Sequence, residues 1–230
     1  MTASTPAVPA NPRVLVIDVG GTHVKALCTG YTEPVKFDSG SDLTPQTMVE
    51  GVKSVIGEWT YDAVSVGFPS PVLHNKILRE PFNLAPGWVT FDFEKAFGRP
   101  VRVANDALMQ ALGGYTSGRM LFLGLGTGLG AAMVDQGYPI PLEIAHLPYK
   151  RRTYEEYLGI RGLKRSGRAK WERHVHKISE ELCTAFICEY AVLGGGNAKL
   201  LKSLPPHARL GDNANAFLGG FRMWREKKDE

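Results

Sequence analysis

Val14-Leu15-Val16-Ile17-Asp18-Val19-Gly20-Gly21-Thr22-His23-Val24-Lys25-Ala26-Leu27-Cys28 is a β-branched run, a glycine turn, and a second run of roughly alternating apolar and polar residues. That pattern predicts a strand, a tight turn and an antiparallel return strand. A Walker loop would need Gly-Lys-Ser/Thr opening a helix, and the dinucleotide fingerprint also opens a helix, so both are excluded. The same unit recurs downstream. Met120–Leu125 enters Gly126-Thr127-Gly128-Leu129-Gly130, and Gly130–Asp135 runs back out. A third turn, Gly194-Gly195-Gly196, follows the apolar Tyr190-Ala191-Val192-Leu193. Glycine lets backbone N–H groups close on an anion and adopts φ > 0 without steric cost. Three such turns predict a chain folded around phosphate.

Between the turns, Pro45–Trp59 carries apolar residues at the helical period, with Thr44 as N-cap and Pro45 where helices tolerate proline. Ala63–Phe68 reads as a strand stopped by Pro69 and Pro71, followed by a loop through Pro81-Phe82-Asn83-Leu84-Ala85-Pro86-Gly87-Trp88. Phe91–Phe97 is expected to be a short helix, Val101–Ala104 a strand, and Ala107–Gly113 the start of another helix. Trp171–Glu189 is expected to be a long amphipathic helix, with Asn197–Lys202 and Asp212–Arg225 as closing helices. The repeated strand–turn–strand unit predicts two related α/β lobes, 13–106 and 107–230, around a central cleft, after a disordered tail at 1–12.

Hydrophobic content of 43% and charged content of 22% place the chain among ordinary globular proteins, with ample core for its 230 residues. Cys28, Cys183 and Cys188 fit neither a metal spacing nor a disulfide framework, which points to a reducing compartment. The start of the chain lacks the charged and apolar blocks of a signal peptide, and no apolar run approaches the roughly 20 residues of a membrane span. A cytoplasmic protein with no membrane partner is expected. Net charge is only +4, yet Lys150, Arg151, Arg152, Arg161, Lys164, Arg165, Arg168, Lys170 and Arg173 crowd one stretch. It reads either as a solvated face or as a track for a polyanion.

The residues around the turns suggest chemistry. Asp18, at a strand end beside Gly20, Gly21 and Thr22, is placed to hold a hydrated Mg²⁺ next to phosphate oxygens, with Lys25 adding positive charge. The bland alternative is a hairpin in which Asp18 caps its own loop. Asn105-Asp106 ends a strand, the usual station of functional groups in open α/β sheets. An ionised aspartate there can accept a hydroxyl proton as the alcohol attacks phosphorus, although Asx residues also simply cap helices. Glu143 and His146, three apart, face one side of a helix or turn and suit the hydroxyls of a polyol. Without further Cys or His at metal spacing, zinc is not expected.

In order along the chain, these residues resemble the ROK sugar kinases, within the actin-like ATPase (ribonuclease H-like) fold. Asp18-Val-Gly-Gly-Thr-His23-Val-Lys25 is similar to that family's first phosphate motif, and Gly67-Phe68-Pro69-Ser70-Pro71-Val72 to its sugar loop. Asn83…Pro86-Gly87-Trp88 is similar to its Asn-Leu-Pro-Gly-Trp element, and Asn105-Asp106-Ala107 to the pair that carries its base. Gly126-Thr127-Gly128-Leu129-Gly130 resembles the second phosphate motif, Glu143-Ile-Ala-His146 the sugar-binding Glu-x-x-His, and Gly194-Gly195-Gly196 the nucleotide-side turn. The resemblance implies transfer of a phosphoryl group to the 6-hydroxyl of glucose or a related hexose, with ATP or polyphosphate as donor and Mg²⁺ as cofactor. It implies Asp106 as general base. Ser70, Asn83, Asn105, Asp106, Glu143 and His146 would hold the sugar. Asp18 would act through the metal. Gly20, Gly21, Thr22, His23, Lys25, Gly126, Thr127, Gly128 and Gly194–Gly196 would lie on the phosphate or nucleotide side. Many members carry a Cys-rich zinc motif after Glu-x-x-His; here Leu147-Pro148-Tyr149-Lys150-Arg151-Arg152 stands instead, as in the subgroup that includes the polyphosphate-dependent glucokinases. A homodimer that binds no nucleic acid is expected. The alternative reading is a non-catalytic sugar-binding or regulatory protein that kept the fold.

Overall fold

The computed structural model describes residues 8–212 and 214–225. The chain forms two compact units: one runs to Met109 and takes the chain back from Ala216, and the other is Gln110–Asn215. In the first unit the strands are β1 (Val14–Val19), β2 (His23–Cys28) and β3 (Val35–Asp38), followed by helix α1 (Pro45–Ile56) and β4 (Ala63–Phe68). A small hairpin, β5 (Val72–Leu73) and β6 (Lys76–Ile77), then α2 (Phe93–Phe97) and β7 (Val101–Asn105) complete it. The sheet order is β3-β2-β1-β4-β7, antiparallel on the β1–β2–β3 side and parallel through β1, β4 and β7.

Because side chains alternate across a strand, β1 presents two apolar faces. Leu15, Ile17 and Val19 pack with Met48, Val52 and Ile56 of α1. Val14 and Val16 point the other way, among Ala63, Met109, Ala216, Phe217 and Trp224. A parallel strand of this kind must be covered on both sides.

Helix α3 (Asp106–Gly114) leads into the second unit. There β8 (Arg119–Leu125), β9 (Leu129–Asp135) and β10 (Tyr138–Leu142) precede the hairpin β11 (Pro148–Tyr149) and β12 (Arg152–Thr153). Helices α4 (Tyr154–Leu158), α5 (Ile160–Ser166) and α6 (Arg168–Ala185) follow, then β13 (Tyr190–Gly194) and β14 (Ala208–Leu210). The order β10-β9-β8-β13-β14 repeats that of the first sheet, with the same mix of antiparallel and parallel pairs. Leu121, Leu123 and Leu125 pack against Trp171, Val175, Ile178 and Leu182 of α6.

Several boundaries differ from the periodicity. The predicted helix at Trp171–Glu189 is α6, which starts at Arg168 after Gly167 (φ 73°) and ends at Ala185. Asn197–Lys202 contains only a single 3₁₀ turn, Ala198–Leu200. The last helix, α7 (Asn215–Arg222), is shorter than Asp212–Arg225, and from Ala216 the chain belongs to the first unit rather than staying with 107–215. It covers the Val14/Val16 face of β1. Among the described residues, no helix is long and apolar enough to cross a membrane.

One buried polar network ties α7 to the sheet. Ser65 Oγ donates to Gly220 O at 2.7 Å and accepts from Trp224 Nε1 at 2.9 Å, and Arg102 stacks on the Trp224 ring at 4.3 Å. Ser65→Ala strips the acceptor from a buried indole N–H. The expected loss is about 1–3 kcal/mol, read as a lower urea midpoint with an unchanged slope.

Candidate active site

In the first unit the parallel register places Asp18 beside Gly67, Gly67 beside Ala104, and Phe68 beside Asn105. The C-terminal ends of β1, β4 and β7 are therefore adjacent, and they deliver Asp18, the Phe68–Ser70 bend and Asn105-Asp106 to one sheet edge. Asp18 lies across from Lys25 in the β1–β2 ladder. Burial pushes its carboxyl above the ordinary range, and the Lys25 charge offsets only part of that. Its carboxylate accepts no hydrogen bond among the described residues.

The first glycine turn closes through Gly20 N donating to His23 O at 3.0 Å. Ser39 pins it from outside, its Oγ donating to Gly20 O at 2.6 Å and its N to Thr22 O at 2.9 Å. His23 faces Asp38 at 3.4 Å. A Cβ at Gly21 would meet the Asn83 side chain at 3.6 Å, so the Asn83 loop sits directly on the turn. That loop is itself anchored: Glu80 accepts from the backbone N–H of Gly87 and Trp88 at 3.0 Å and of Val89 at 3.2 Å. Trp88 is buried against Phe68, ring centroids 4.7 Å apart.

Ser70 donates its hydroxyl to Arg79 O at 2.7 Å, and its carbonyl accepts from Asn105 Nδ2 at 3.2 Å. Asn105 Oδ1 and Asp106 Oδ1 both accept from Ala107 N, at 2.9 and 2.7 Å. Asn105 thus caps α3, and the same N–H holds the Asp106 carboxylate at the sheet edge.

The second unit carries the other elements. Gly126 N donates to Gly128 O at 3.2 Å, closing the second turn, and Asn197 ties the third turn to it by Nδ2 donating to Gly126 O at 2.8 Å. Gly195 has φ 80°, and a Cβ there would lie 2.6 Å from Leu125 O, so this position requires glycine. Glu143 and His146 are exposed and flank the buried Ile144 and Ala145 in the segment that follows β10.

Glu155 is a residue that sequence reasoning misses. Its N donates to Ala145 O at 2.9 Å, and its Oε2 accepts from Leu129 N at 3.3 Å. A Cβ at Gly128 would collide with that carboxylate. Glu155 thus links the Glu143–His146 segment to the second glycine turn. The available signal is the capping box Thr153-x-x-Glu156, both halves of which form and start α4.

Ile160 N donates to the carbonyls of Gly126 and Thr127 at 3.1 and 3.2 Å, so α5 begins on the second turn. The nine basic residues from Lys150 to Arg173 are all exposed, and among the described residues only Arg152 forms an ion pair, with Glu156 at 3.0 Å. Beneath them the rings of Tyr149, Tyr154, Tyr157 and His174 form one cluster. Burial, and then the charges of Lys150, Lys170, Arg173 and Arg165, hold the His174 imidazole below its ordinary pKa.

The implied Mg²⁺ has a partial fit. No group of three or more His, Cys, Asp or Glu side chains converges among the described residues. Asp18, a lone carboxylate without a hydrogen-bond donor, suits an ion that keeps most of its waters and leans on substrate phosphates.

The ROK family model matches residues 14–141. The polyphosphate glucokinase of Mycobacterium tuberculosis is 24% identical, over 85% of this chain and 82% of that protein. Among solved structures, the inorganic polyphosphate/ATP-glucomannokinase of Arthrobacter sp. strain KM superposes with a TM-score of 0.78 at 23% identity, covering 93% of this chain and 98% of that one. A ROK family glucokinase of Streptomyces griseus, in complex with glucose and AMPPNP, gives 0.69 at 15% identity, covering 92% and 98%. The fold is the actin-like ATPase fold that the sequence leads one to expect.

Two outcomes follow from the buried ionisable groups. Asp18 has a raised folded pKa, so its charge costs stability at neutral pH and the cost disappears as pH falls towards about 4, the unfolded value. Asp18→Asn is expected to melt higher than wild type at pH 7, with the gap closing near pH 4. His174 has the opposite consequence: the folded state resists protonation, so stability falls as pH drops below about 6.5. Melts from pH 7.5 to 5.5 should fall more steeply for wild type than for His174→Gln.

Proposed function

The chain belongs to the ROK family, and from that premise we propose that it is a sugar kinase that phosphorylates the 6-hydroxyl of glucose or a related hexose. The observation that carries this reading is the common sheet edge of β1, β4 and β7, where Asp18 and Asp106 lie at the C-terminal ends of the two strands that flank β4, beside the Ser70 bend that follows it. Asp106 accepts the hydroxyl proton as the sugar oxygen attacks the terminal phosphorus of the donor, and the bridging P–O bond breaks. Asn83, held against the first turn, and Asn105, fixed by Ser70 and the α3 cap, orient the sugar, with Ser70 setting the loop. Glu143 and His146 bind its hydroxyls. The backbone N–H groups of the glycine turns hold the phosphates, with Lys25 and His23 at the rim of the first. Mg²⁺ bound through Asp18 would neutralise phosphate charge.

Polyphosphate is the favoured donor, with ATP as a second one. Its support is local to the second unit: α5 starts on the second glycine turn and carries Arg161, Lys164 and Arg165 on an exposed face with no acidic partner among the described residues. A long polyanion leaving the turn would meet that face.

A glucose-coupled assay with each donor tests the reading. Asp106→Asn is expected to lose about 10²–10⁴-fold in kcat while glucose binding by calorimetry persists. No turnover of any hexose with either donor would instead favour a sugar-binding protein without catalysis. Charge reversal at Arg161, Lys164 and Arg165 together should raise the KM for polyphosphate by about tenfold or more, for each ~1.4 kcal/mol of attraction lost. The KM for ATP should change little. Equal loss with both donors would reject the track.

A further inference from the structure

The C-terminus of α6 places two thiols in one closed turn. Ile187 N donates to Thr184 O at 3.2 Å and Cys188 N donates to Cys183 O at 2.8 Å. These bonds together are a Schellman motif, whose hallmark is a left-handed residue just past the helix and a side-chain contact across the turn. Two things about this instance are unusual. The left-handed position, where glycine is the default, is Ile187 with φ 56°, and its side chain is 76% exposed, so burial does not compensate the strained backbone. The residues brought together across the turn are Cys183 and Cys188, both half-buried.

The two sulfurs interact. Each sulfur shifts the other's proton affinity, favouring the Cys183 thiolate and pushing the Cys188 thiol up. The Cys188 S–H donates to Met133 Sδ at 3.7 Å, and the Arg119 charge is close by. Two half-buried thiols brought together across one closed turn, Cys183 at its start and Cys188 at its end, are the arrangement of an attacking and a resolving cysteine. Cys28, by contrast, is fully buried in the first unit and has no thiol partner among the described residues.

We infer that Cys183 and Cys188 are a peroxide-reactive pair that closes to an intrachain disulfide across the Ile187 turn. The Cys183 thiolate attacks a peroxide oxygen, the O–O bond breaks, and hydroxide leaves, giving a sulfenic acid on Cys183. Cys188 sulfur then attacks that sulfur and the S–O bond breaks. Hydroxide takes up the Cys188 proton and departs as water, leaving the S–S bond. Overall, two thiols and one hydrogen peroxide give one disulfide and two waters. The bond clamps Ile187 in its left-handed conformation and fixes the connection into β13, the strand that ends in the Gly194–Gly196 turn.

The test is made on the intact wild-type chain, reduced and then treated with hydrogen peroxide. The expected product is monomeric in its covalent bonds and lighter by two hydrogen atoms. Thiols alkylated after unfolding fall from three to one, that of Cys28, and dithiothreitol restores all three. The oxidised form should also melt higher. In Cys188→Ser, dimedone should trap a sulfenic acid at Cys183, whereas in Cys183→Ser it should leave Cys188 unlabelled at the same dose. Three free thiols after treatment, oxygen added to either cysteine of the wild type without loss of the two hydrogens, or a disulfide between chains would overturn the inference. None of these readouts uses catalytic activity, so the outcome is separate from that of the kinase assay.

Discussion

The first sheet depends on burying both faces of β1 and β4 at once. A parallel pair with apolar residues on both sides needs two covers. Helix α1 comes from the adjoining sequence and supplies one, while α7 arrives from the far end of the chain to supply the other. With both faces closed, only the strand ends can carry charged groups at tolerable cost. This is why Asp18 and Asn105-Asp106 sit where the strands stop, in register, and why the Ser65 hydroxyl on the covered face is fully engaged by Gly220 and Trp224. Burying a polar atom there without a partner would cost several times what its hydrogen bond returns.

Even at the strand end the compromise is visible. Desolvation of Asp18 outweighs the attraction of Lys25, so the carboxylate sits in an environment that disfavours its own charge. A cation or a cationic ligand shell relieves that cost, whereas the folded protein alone does not. The second unit solves a related problem differently. Its glycine turns leave no room for a Cβ at two positions, where Glu155 fills the space beside Gly128 and Leu125 O the space beside Gly195. Local stability is given up in both places, through charge in one and through the absence of side chains in the other.

What was legible in the sequence follows from which interactions are local. Alternation and β-branching mark β1, β2, β4, β8, β9 and β13, and the helical period together with Thr44 marks α1, because each signal is written within the element. The glycine turns and Asn105-Asp106 are equally local. The return of α7 to the first unit is not, since nothing in residues 215–222 states which sheet they will cover. Helices α4 and α5 are too short for a clear period and lie inside a basic run that reads as surface. The end of α6 is misplaced because its terminating position holds Ile187 rather than glycine, so the apolar pattern runs on after the helix has stopped. Glu155 stays hidden for a similar reason: beside Glu156 and Arg152 it looks like one more solvated charge, and only the backbone bond to Ala145 turns it inward.

The segment after Glu143–His146 shows how a short, charged stretch can still be anchored by its rings. Tyr149, Tyr154, Tyr157 and His174 pack there in four ring pairs with centroids 4.7 to 5.9 Å apart. Such ring pairs contribute about 0.5–1.5 kcal/mol each beyond the area they bury, so four of them are comparable with a sizeable fraction of a domain's net stability. The cluster also needs His174 neutral, because a charged imidazole would be desolvated among four cations. Tyr154 and Tyr157 flank Glu155 on α4, so the same packing that roots the basic surface also sets the carboxylate that reaches the second glycine turn. Ring packing therefore ties together the exposed cations, the Glu-x-x-His segment and the second glycine turn, three features that lie apart in the sequence.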